Sequence, residues 1–269
     1  MRRISAELGQ TVRYWMRTEV HVYAFSVAAN VLLSFFPFLI VTMSITRLMF
    51  NEQTTISAID LALRDYFPDA FGNFLHNNLP RRGPTQLFSL ILLLFTANGI
   101  FEPLEVALNR IWGIHRNRSF VRNQAISLGL IFACGGLALG SMMLTGLNQF
   151  SFRGGQAWLS VLFFKMAAVP LEALVLFLIY RFVPNGRPPL PRIIPAAIGV
   201  GLLLELLKYV NRFAWPWFDQ KLTREYGVFR YSVTLILLGF LASMLVLAGA
   251  EWAARGHRFK SLPEEPVDA

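Results

Sequence analysis

Six long apolar runs are the feature that most constrains this chain. A helix needs about 20 residues to cross the roughly 30 Å hydrocarbon core of a bilayer, and each run reaches that length. Of the 269 residues, 55% are hydrophobic and only 15% are charged, whereas an ordinary soluble domain has about 25% charged residues. The runs cover about residues 22–49, 87–111, 125–147, 157–183, 193–213 and 229–254.

These runs predict an all-α integral membrane protein built as one bundle of about six transmembrane helices. A transmembrane β-barrel would instead show short segments of alternating polarity. The short connections leave no room for a soluble domain, so we expect a single transmembrane domain over residues 21–255. A cytoplasmic interfacial helix at 1–20 would precede it, and a polar cytoplasmic tail at 256–269 would follow. The first run has no convincing cleavage site and is expected to remain as an uncleaved anchor.

Two segments outside the runs have apolar residues at helical spacing. Before the first run, Trp15 and Met16 end a pattern that Arg13 and Arg17 interrupt, which predicts a short helix at the membrane surface. Residues 51–84 repeat apolar side chains every three or four positions and predict one or two amphipathic helices on the extracytoplasmic face. These helices would either cap the bundle or help to admit a lipid-like ligand.

The basic residues beside the runs predict the orientation, because cytoplasmic flanks retain positive charge. Four groups share one side if both termini are cytoplasmic: Arg2, Arg3, Arg13 and Arg17; Arg110, Arg116, Arg118 and Arg122; Arg181, Arg187 and Arg192; Arg255, Arg258 and Lys260. One connection argues the other way, because residues 208–230 place five basic residues on the predicted outer side. Either that segment lies partly in the membrane or its charges have another purpose.

Polar residues within the runs are the candidates for a working site, since a charge at membrane depth is costly unless it faces water or a partner. Their spacing aligns them on one face of each helix. The candidate cavity residues are Glu102, Glu105 and Asn109 in the second span, Lys165 and Glu172 in the fourth, and Glu205, Lys208 and Arg212 in the fifth. They predict a polar, partly hydrated cavity. Alternatively, they form structural ion pairs or extend to the membrane surface.

Helix-breaking residues accompany these polar faces. Gly99 and Pro103 lie together in the second span, and proline removes a backbone hydrogen bond and clashes with the preceding turn. A bend is therefore expected in this segment. Pro216, between two tryptophans, predicts a second irregularity at the end of the fifth span. Broken helices at membrane depth are tolerated where the backbone lines protein or a cavity.

Several function classes find no support in the residues. The net charge is +9, but the basic residues are scattered at span ends, as topology and anionic headgroups explain, so no nucleic-acid partner is expected. The four histidines are isolated, and no GxxxxGK[ST] nucleotide-binding loop is present. We expect no metal, no other cofactor and no enzymatic activity. A lipid-modifying enzyme would need a clustered nucleophile or metal site.

Four blocks of the sequence, at residues 28–41, 97–114, 180–209 and 225–254, contain the elements ALNRIWG, Y-x-x-x-PN, YG and GAE. In content and order they resemble the signature blocks of the bacterial YihY/BrkB inner-membrane family. One departure is Asn30, which stands where tyrosine-rich sequence is usual. The motif and structural residues that the resemblance singles out are Pro37, Gly99, Pro103, Arg110, Trp112, Pro184, Asn185, Tyr226, Gly227 and Glu251.

The resemblance implies a multi-pass protein of the bacterial inner membrane whose partners are membrane lipids. Members were once labelled ribonuclease BN, a label regarded as mistaken, and others are associated with serum resistance and with traffic of envelope lipid or lipopolysaccharide precursors. With the predicted cavity, this suggests a transporter or flippase-like carrier of an amphiphilic, anionic lipid or lipid-linked envelope component. Lys165, Lys208 and Arg212 would attract its phosphate. The alternative is a structural or partner-binding protein of an envelope complex, whose partners would be envelope proteins or further copies in a homo-oligomer.

Overall fold

The computed structural model describes residues 2–47, 55–56, 59–60, 63, 85–114, 125–137 and 157–255, with side chains for all of these except 2–8, 85–87, 97–98, 157–169 and 228. The helices of this part of the chain are α1 (Arg2–Trp15), α2 (Thr18–Thr46), α3 (Thr85–Trp112), α4 (Ala125–Leu137), α5 (Ala157–Phe182), α6 (Leu190–Tyr226) and α7 (Arg230–Ala254). A 3-10 turn at Gly227–Phe229 joins α6 to α7.

Among the described residues, four helices are long and apolar enough to cross a membrane. They are α2, residues Phe88–Trp112 of α3, α6 and α7. Helix α5 has 26 residues, about 39 Å at 1.5 Å per residue, and matches the predicted fourth span. Helix α4 matches the first half of the third span, whereas residues 138–147, most of 51–84 and the tail at 256–269 lie outside the described residues. The predicted all-α membrane fold is confirmed.

Helix α7 occupies the middle of this bundle. It packs against α1, α2, α3 and α6, while α2 packs on α3 and α5 packs on α6. The main core lies where these helices meet, and its fully buried side chains include Leu108, Trp112, Ile193 and Leu247. Buried side chains from six helices, α2 to α7, contribute to this core, and α7 connects the N-terminal helices to the α5–α6 pair.

One end of the bundle gathers the arginines of several helix termini. The start of α2 meets the end of α3, where Arg110 Nη2 lies 2.8 Å from Glu19 Oε1. The start of α6 meets the end of α7, where Arg192 donates to the backbone carbonyl of Arg255. We call this the basic end; its arginines include Arg13, Arg17, Arg110, Arg181, Arg187, Arg192 and Arg255.

Helix α6 extends well beyond the predicted fifth span at the opposite end. The prediction placed the end at residue 213 with an irregularity at Pro216, but the helix continues through that proline to Tyr226. The hydrophobic contacts of Trp215 explain the continuation, since its side chain is only 2% exposed and packs with Leu39 and Met43 of α2. Burial of a large aromatic side chain offsets the lost backbone hydrogen bond.

Ile59 and Leu63 of the predicted amphipathic segment lie in this second core. They are 0% and 7% exposed and pack with Leu39, Met43 and Trp215. The described part of the segment therefore covers the end of α2 and α6. This contact favours a capping role for these two residues.

Gly99 permits α2 and α3 to approach closely at Asn30. A Cβ atom at Gly99 would collide with Oδ1 of Asn30, whose amide donates to the backbone carbonyl of Ser26 at 2.9 Å. One turn away, the hydroxyls of Ser34 and Thr96 hydrogen-bond at 2.9 Å. Helix α3 continues through Gly99, and Pro103 lies inside it.

Gly227 ends α6 in a conformation that favours glycine. Its φ is +55°, in the region that other residues rarely adopt, and its N–H donates to the carbonyl of Thr223. Tyr226 and Gly227 thus form the corner between α6 and α7, which accounts structurally for the YG element of the sequence.

Candidate functional site

A polar pocket of about 190 Å³ lies at the basic end, between α1, α2, α3 and α7. The guanidinium of Arg110 pairs with Glu19 at 2.8 Å and also interacts with the hydroxyl of Tyr23. The pocket's polar lining consists of Tyr14, Arg17, Glu19, Tyr23, Arg110 and Glu251. The adjacent helices α1 and α2 therefore converge with α3 and α7, which are distant from them in sequence, around one polar space.

An ion pair at the end of α7 fixes the side of the polar pocket formed by Glu251. Arg255 Nη2 lies 2.6 Å from Glu251 Oε2, and Arg255 also contacts the hydroxyl of Thr11 on α1. Burial raises the pKa of the Tyr14 phenol above its ordinary value, and the nearby carboxylate of Glu251 adds to the rise. Tyr14 therefore presents a neutral hydroxyl, which can donate or accept a hydrogen bond.

An ion triad joins α5 to α6. Nζ of Lys208 lies 2.8 Å from Oε2 of Glu172 and 2.9 Å from Oε2 of Glu205. The three side chains are 16–20% exposed. Fully ionised, the triad has two negative charges and one positive charge, so its net charge is −1. Lys208 therefore pairs with Glu172 across the two helices and with Glu205 within α6.

The ion triad lies within the helical stretches that the apolar runs predict to be in the membrane. Glu172 precedes the end of α5 by ten residues, about 15 Å along the helix, and Lys208 follows the start of α6 by 18 residues, about 27 Å. Charges at this depth are costly unless they are paired or hydrated. The pairing explains how the α5–α6 pair can hold three ionisable groups there.

An apolar cavity of about 440 Å³ lies between α2, α3 and α4. Phe35 and Phe38 contribute from α2, Phe101 from α3, and Phe132 and Gly135 from α4. Ser34, Thr42 and Cys134 also line it, but the surface is otherwise hydrocarbon. Its volume is in the range of small-molecule pockets, about 300–1,000 Å³, and its lining suits an acyl chain.

The predicted cavity residues fall into separate places. Glu105 and Asn109 are buried in α3, at 8% and 5% exposure, whereas Glu102 and Arg212 lie on exposed helix surfaces. The side chain of Lys165 lies outside the described residues. Glu102, Glu105, Asn109, Glu172, Glu205, Lys208 and Arg212 line neither the polar pocket nor the apolar cavity. A polar cavity shared by all of them stays a prediction.

Comparison with known proteins assigns the family. The sequence model of the family Virulence factor BrkB matches residues 11–268. The chain belongs to this BrkB family.

Curated relatives of this BrkB protein are named UPF0761 membrane proteins. Those from Xanthomonas campestris pv. campestris (strain B100) and Xanthomonas axonopodis pv. citri (strain 306) are 26% identical, covering 80% of this chain and 52% of each relative. The one from Xanthomonas oryzae pv. oryzae (strain PXO99A) is 25% identical with the same coverage. The chain thus spans about half the length of the curated relatives it matches. No solved structure matches it.

Parts of three of the four BrkB sequence blocks contact one another toward the basic end. Oδ1 of Asn109, from ALNRIWG, accepts the backbone N–H of Asn185, from the PN element, at 2.7 Å. The Tyr180 hydroxyl donates to the carbonyl of Val246 on α7 at 2.7 Å, close to Glu251 of the GAE element. Pro184 is buried beside Asn185. These contacts show that parts of three separated blocks pack together in the BrkB bundle.

Trp112 of the ALNRIWG element lies in the protein interior. A tryptophan next to an arginine at the end of a span would ordinarily be expected at headgroup depth, but Trp112 is fully buried in the main core. Arg110 does lie at the exposed helix end, with 61% of its side chain accessible. The apolar contacts inside the bundle therefore place the tryptophan ring in the core, away from the headgroups.

Sequence reasoning missed the polar pocket. Arg17 was assigned only to topology, and Tyr14, Glu19 and Tyr23 received no role. The one sequence feature that these four polar residues share is their position, because all of them lie within ten residues around the start of the first span. Their convergence with Arg110 and Glu251 depends on tertiary packing, which spacing along one helix does not report.

Proposed function

We propose that this BrkB-family membrane protein carries an amphiphilic, anionic lipid or lipid-linked envelope component between the leaflets of the bacterial inner membrane, without catalysing a reaction. The observation that supports this most is the apolar cavity between α2, α3 and α4. A cavity of about 440 Å³ inside membrane-spanning helices offers acyl chains a place within the protein. The family association with envelope lipid traffic agrees with such a cargo.

The charges of the bundle suggest where the headgroup would lie. The ion triad surrounds Lys208 with two carboxylates, so a phosphate approaching it would meet a net negative group. The arginine-rich basic end is a better electrostatic match for an anionic headgroup. We therefore assign headgroup attraction to the basic end and not to Lys208.

A lipid-movement assay with a cavity-filling variant tests the proposal. The protein would be reconstituted in vesicles containing phosphatidylethanolamine labelled on its headgroup amine, and a membrane-impermeant reductant would quench label in the outer leaflet. Movement between leaflets makes the whole label pool accessible. Gly135 lines the cavity and has open space where a Cβ atom would lie, so Gly135→Phe should fill the cavity and slow movement without a backbone clash.

Gly129→Phe is the matched control on the same helix. Gly129 also has open space at Cβ but does not line the cavity, so this variant should move lipid like the unmodified protein. If Gly135→Phe and Gly129→Phe move labelled lipid equally fast, the apolar cavity does not take part in lipid movement. Vesicles with protein that move label no faster than protein-free vesicles would contradict transport altogether.

The runner-up function is a structural or partner-binding protein of an envelope complex. It is favoured by the ion triad and by the bond between Asn109 and Asn185, which pair polar groups within the bundle itself. On this proposal, the protein would co-purify with envelope proteins or further copies of itself from mild detergent. Lipid movement would then be absent while the complex remained intact.

A further inference from the structure

We infer that the polar pocket at the basic end is a binding site for a phosphate group. Its lining includes two arginines and two tyrosines around one space. Arginine provides donors in a planar arrangement that matches phosphate oxygens, and tyrosine hydroxyls supply further donors. None of these residues belongs to the ion triad or the apolar cavity.

The electrostatic balance of the pocket favours an anion. Glu251 is already paired with Arg255 at 2.6 Å, and Glu19 is paired with Arg110 at 2.8 Å. Arg17 has no carboxylate partner within the described part of the chain. With Arg255, which pairs with Glu251 from outside the lining, the three guanidinium groups and two carboxylates have a net charge of +1. A phosphate that entered could bind Arg17 and share Arg110 with Glu19.

The size and position of the pocket fit the headgroup end of an amphiphile. A volume of 190 Å³ corresponds to about six waters at roughly 30 Å³ each, which leaves room for a phosphate with some of its hydration. Along α2, residues 24–30 separate this pocket from the apolar cavity, a distance of about 10 Å. One amphiphile with its phosphate in the polar pocket could therefore place its chain toward the apolar cavity.

The phosphate could belong to a lipid headgroup or to a free phosphate, and binding experiments distinguish the two. The full chain in detergent micelles would be titrated calorimetrically with inorganic phosphate in one arm and with dihexanoyl phosphatidic acid in the other. Arg17→Gln with Arg110→Gln should weaken binding by roughly tenfold or more, because both charge-assisted contacts are lost. Tyr14→Phe should weaken it by a smaller factor, since it removes a single hydroxyl.

The matched control removes the same charge from the same end. Arg13 and Arg187 are exposed and do not line the pocket, so Arg13→Gln with Arg187→Gln should change affinity by less than about twofold at physiological salt. Binding of both probes with this pattern supports a general phosphate site, and binding of the lipid probe alone supports a headgroup site. Binding of neither probe, or equal weakening by the control pair, overturns the inference.

The inference rests on the proposed function only for its cargo, and the two fail separately. If the protein binds phosphate through Arg17 and Arg110 but moves no lipid, the binding site is supported and transport is rejected. If the unmodified protein binds no phosphate and the Arg17→Gln, Arg110→Gln variant still moves lipid, transport is supported and the binding site is rejected. Before either comparison, the thermal unfolding midpoint of each variant is compared with that of the unmodified protein to verify that the variant is folded.

Discussion

Tyr14 lies on α1 against the end of α7, where burial and Glu251 raise the pKa of its phenol above the ordinary value of 10.0. In the unfolded chain the phenol returns to that ordinary value. Between the two pKa values, the folded protein keeps a proton that the unfolded chain releases. The contribution of Tyr14 to the free energy of unfolding therefore falls as the pH rises above about 10.

Tyr14→Phe should reduce the alkaline loss of stability. The variant lacks the titrating phenol, so its unfolding midpoint should fall less steeply than that of the unmodified protein between about pH 10 and 11, where linkage can change stability by up to about 1.4 kcal/mol per pH unit. Thermal unfolding in detergent at several pH values measures this. Tyr226→Phe, at an exposed position, should keep the original slope; parallel curves for Tyr14→Phe would contradict the expectation.

Burial of individual glutamates could not be predicted from spacing alone. Glu102 and Glu105 are three positions apart, which places them on neighbouring parts of one helix face. The neighbouring helices nevertheless leave Glu102 exposed and bury Glu105 to 8% exposure. A single-helix pattern identifies a face, but the packing partners decide which side chains on it are covered.

Between elements, the ion triad makes the α5–α6 contact sensitive to one residue. Lys208 neutralises part of the charge of Glu172 and Glu205 at side-chain exposures of 16–20%. Removing one partner of a buried ion pair leaves an uncompensated charge, which is costly, whereas replacing every charged member is often tolerated. Comparing the variant that loses one charge with the variant that loses all three therefore separates the effect of the triad on stability from any effect on function.

Lys208→Met should destabilise the bundle by on the order of 2 kcal/mol, below the usual cost for a fully buried pair because the triad is partly accessible. The unfolding midpoint would then fall by about 5 °C. Lys208→Met combined with Glu172→Gln and Glu205→Gln should regain most of this loss. Lys221→Met is the control, because Lys221 is exposed and lies outside the ion triad. It loses a contact 5.6 Å from the centre of the Trp217 ring, so its unfolding midpoint should fall less than that of Lys208→Met.

Lipid movement by the triple variant decides the function of the triad. A stable triple variant that moves lipid normally shows that the triad is structural, and one that is stable but inactive places it in the transport path. A triple variant as unstable as Lys208→Met would contradict the electrostatic explanation itself.

The ends of the helices can be predicted where an apolar run ends at polar residues. They are harder to predict where contacts with other helices extend a helix beyond its apolar run. The runs at 22–49 and 229–254 correspond closely to α2 and α7. The run at 193–213 ends where Arg212, Pro216 and Asp219 lower the hydropathy, but burial of Trp215 against α2 maintains α6 to Tyr226. The polar pocket could not be predicted either, because α1, α2, α3 and α7 build it together.

In the whole molecule, the packing accounts for three of the five basic residues in 208–230 whose positions argue against the predicted orientation. Lys208 belongs to the ion triad. Arg230 lies 3.2 Å from Asp219 and stacks on Tyr231, and Lys221 lies over Trp217. These charges have local partners at or beyond the outer half of α6. The basic end remains the side with the clustered arginines, which favours a cytoplasmic location for it.

Cysteine labelling should show that the basic end faces the cytoplasm. In a Cys134→Ser background, Arg13→Cys places a thiol at the basic end, and Gln220→Cys places one on α6 about 45 Å from its start, beyond the roughly 30 Å core; both positions are exposed. A membrane-impermeant maleimide added to intact spheroplasts should label position 220, and should label position 13 only after permeabilisation. Labelling of position 13 in intact spheroplasts would contradict this orientation, whether or not position 220 also reacts.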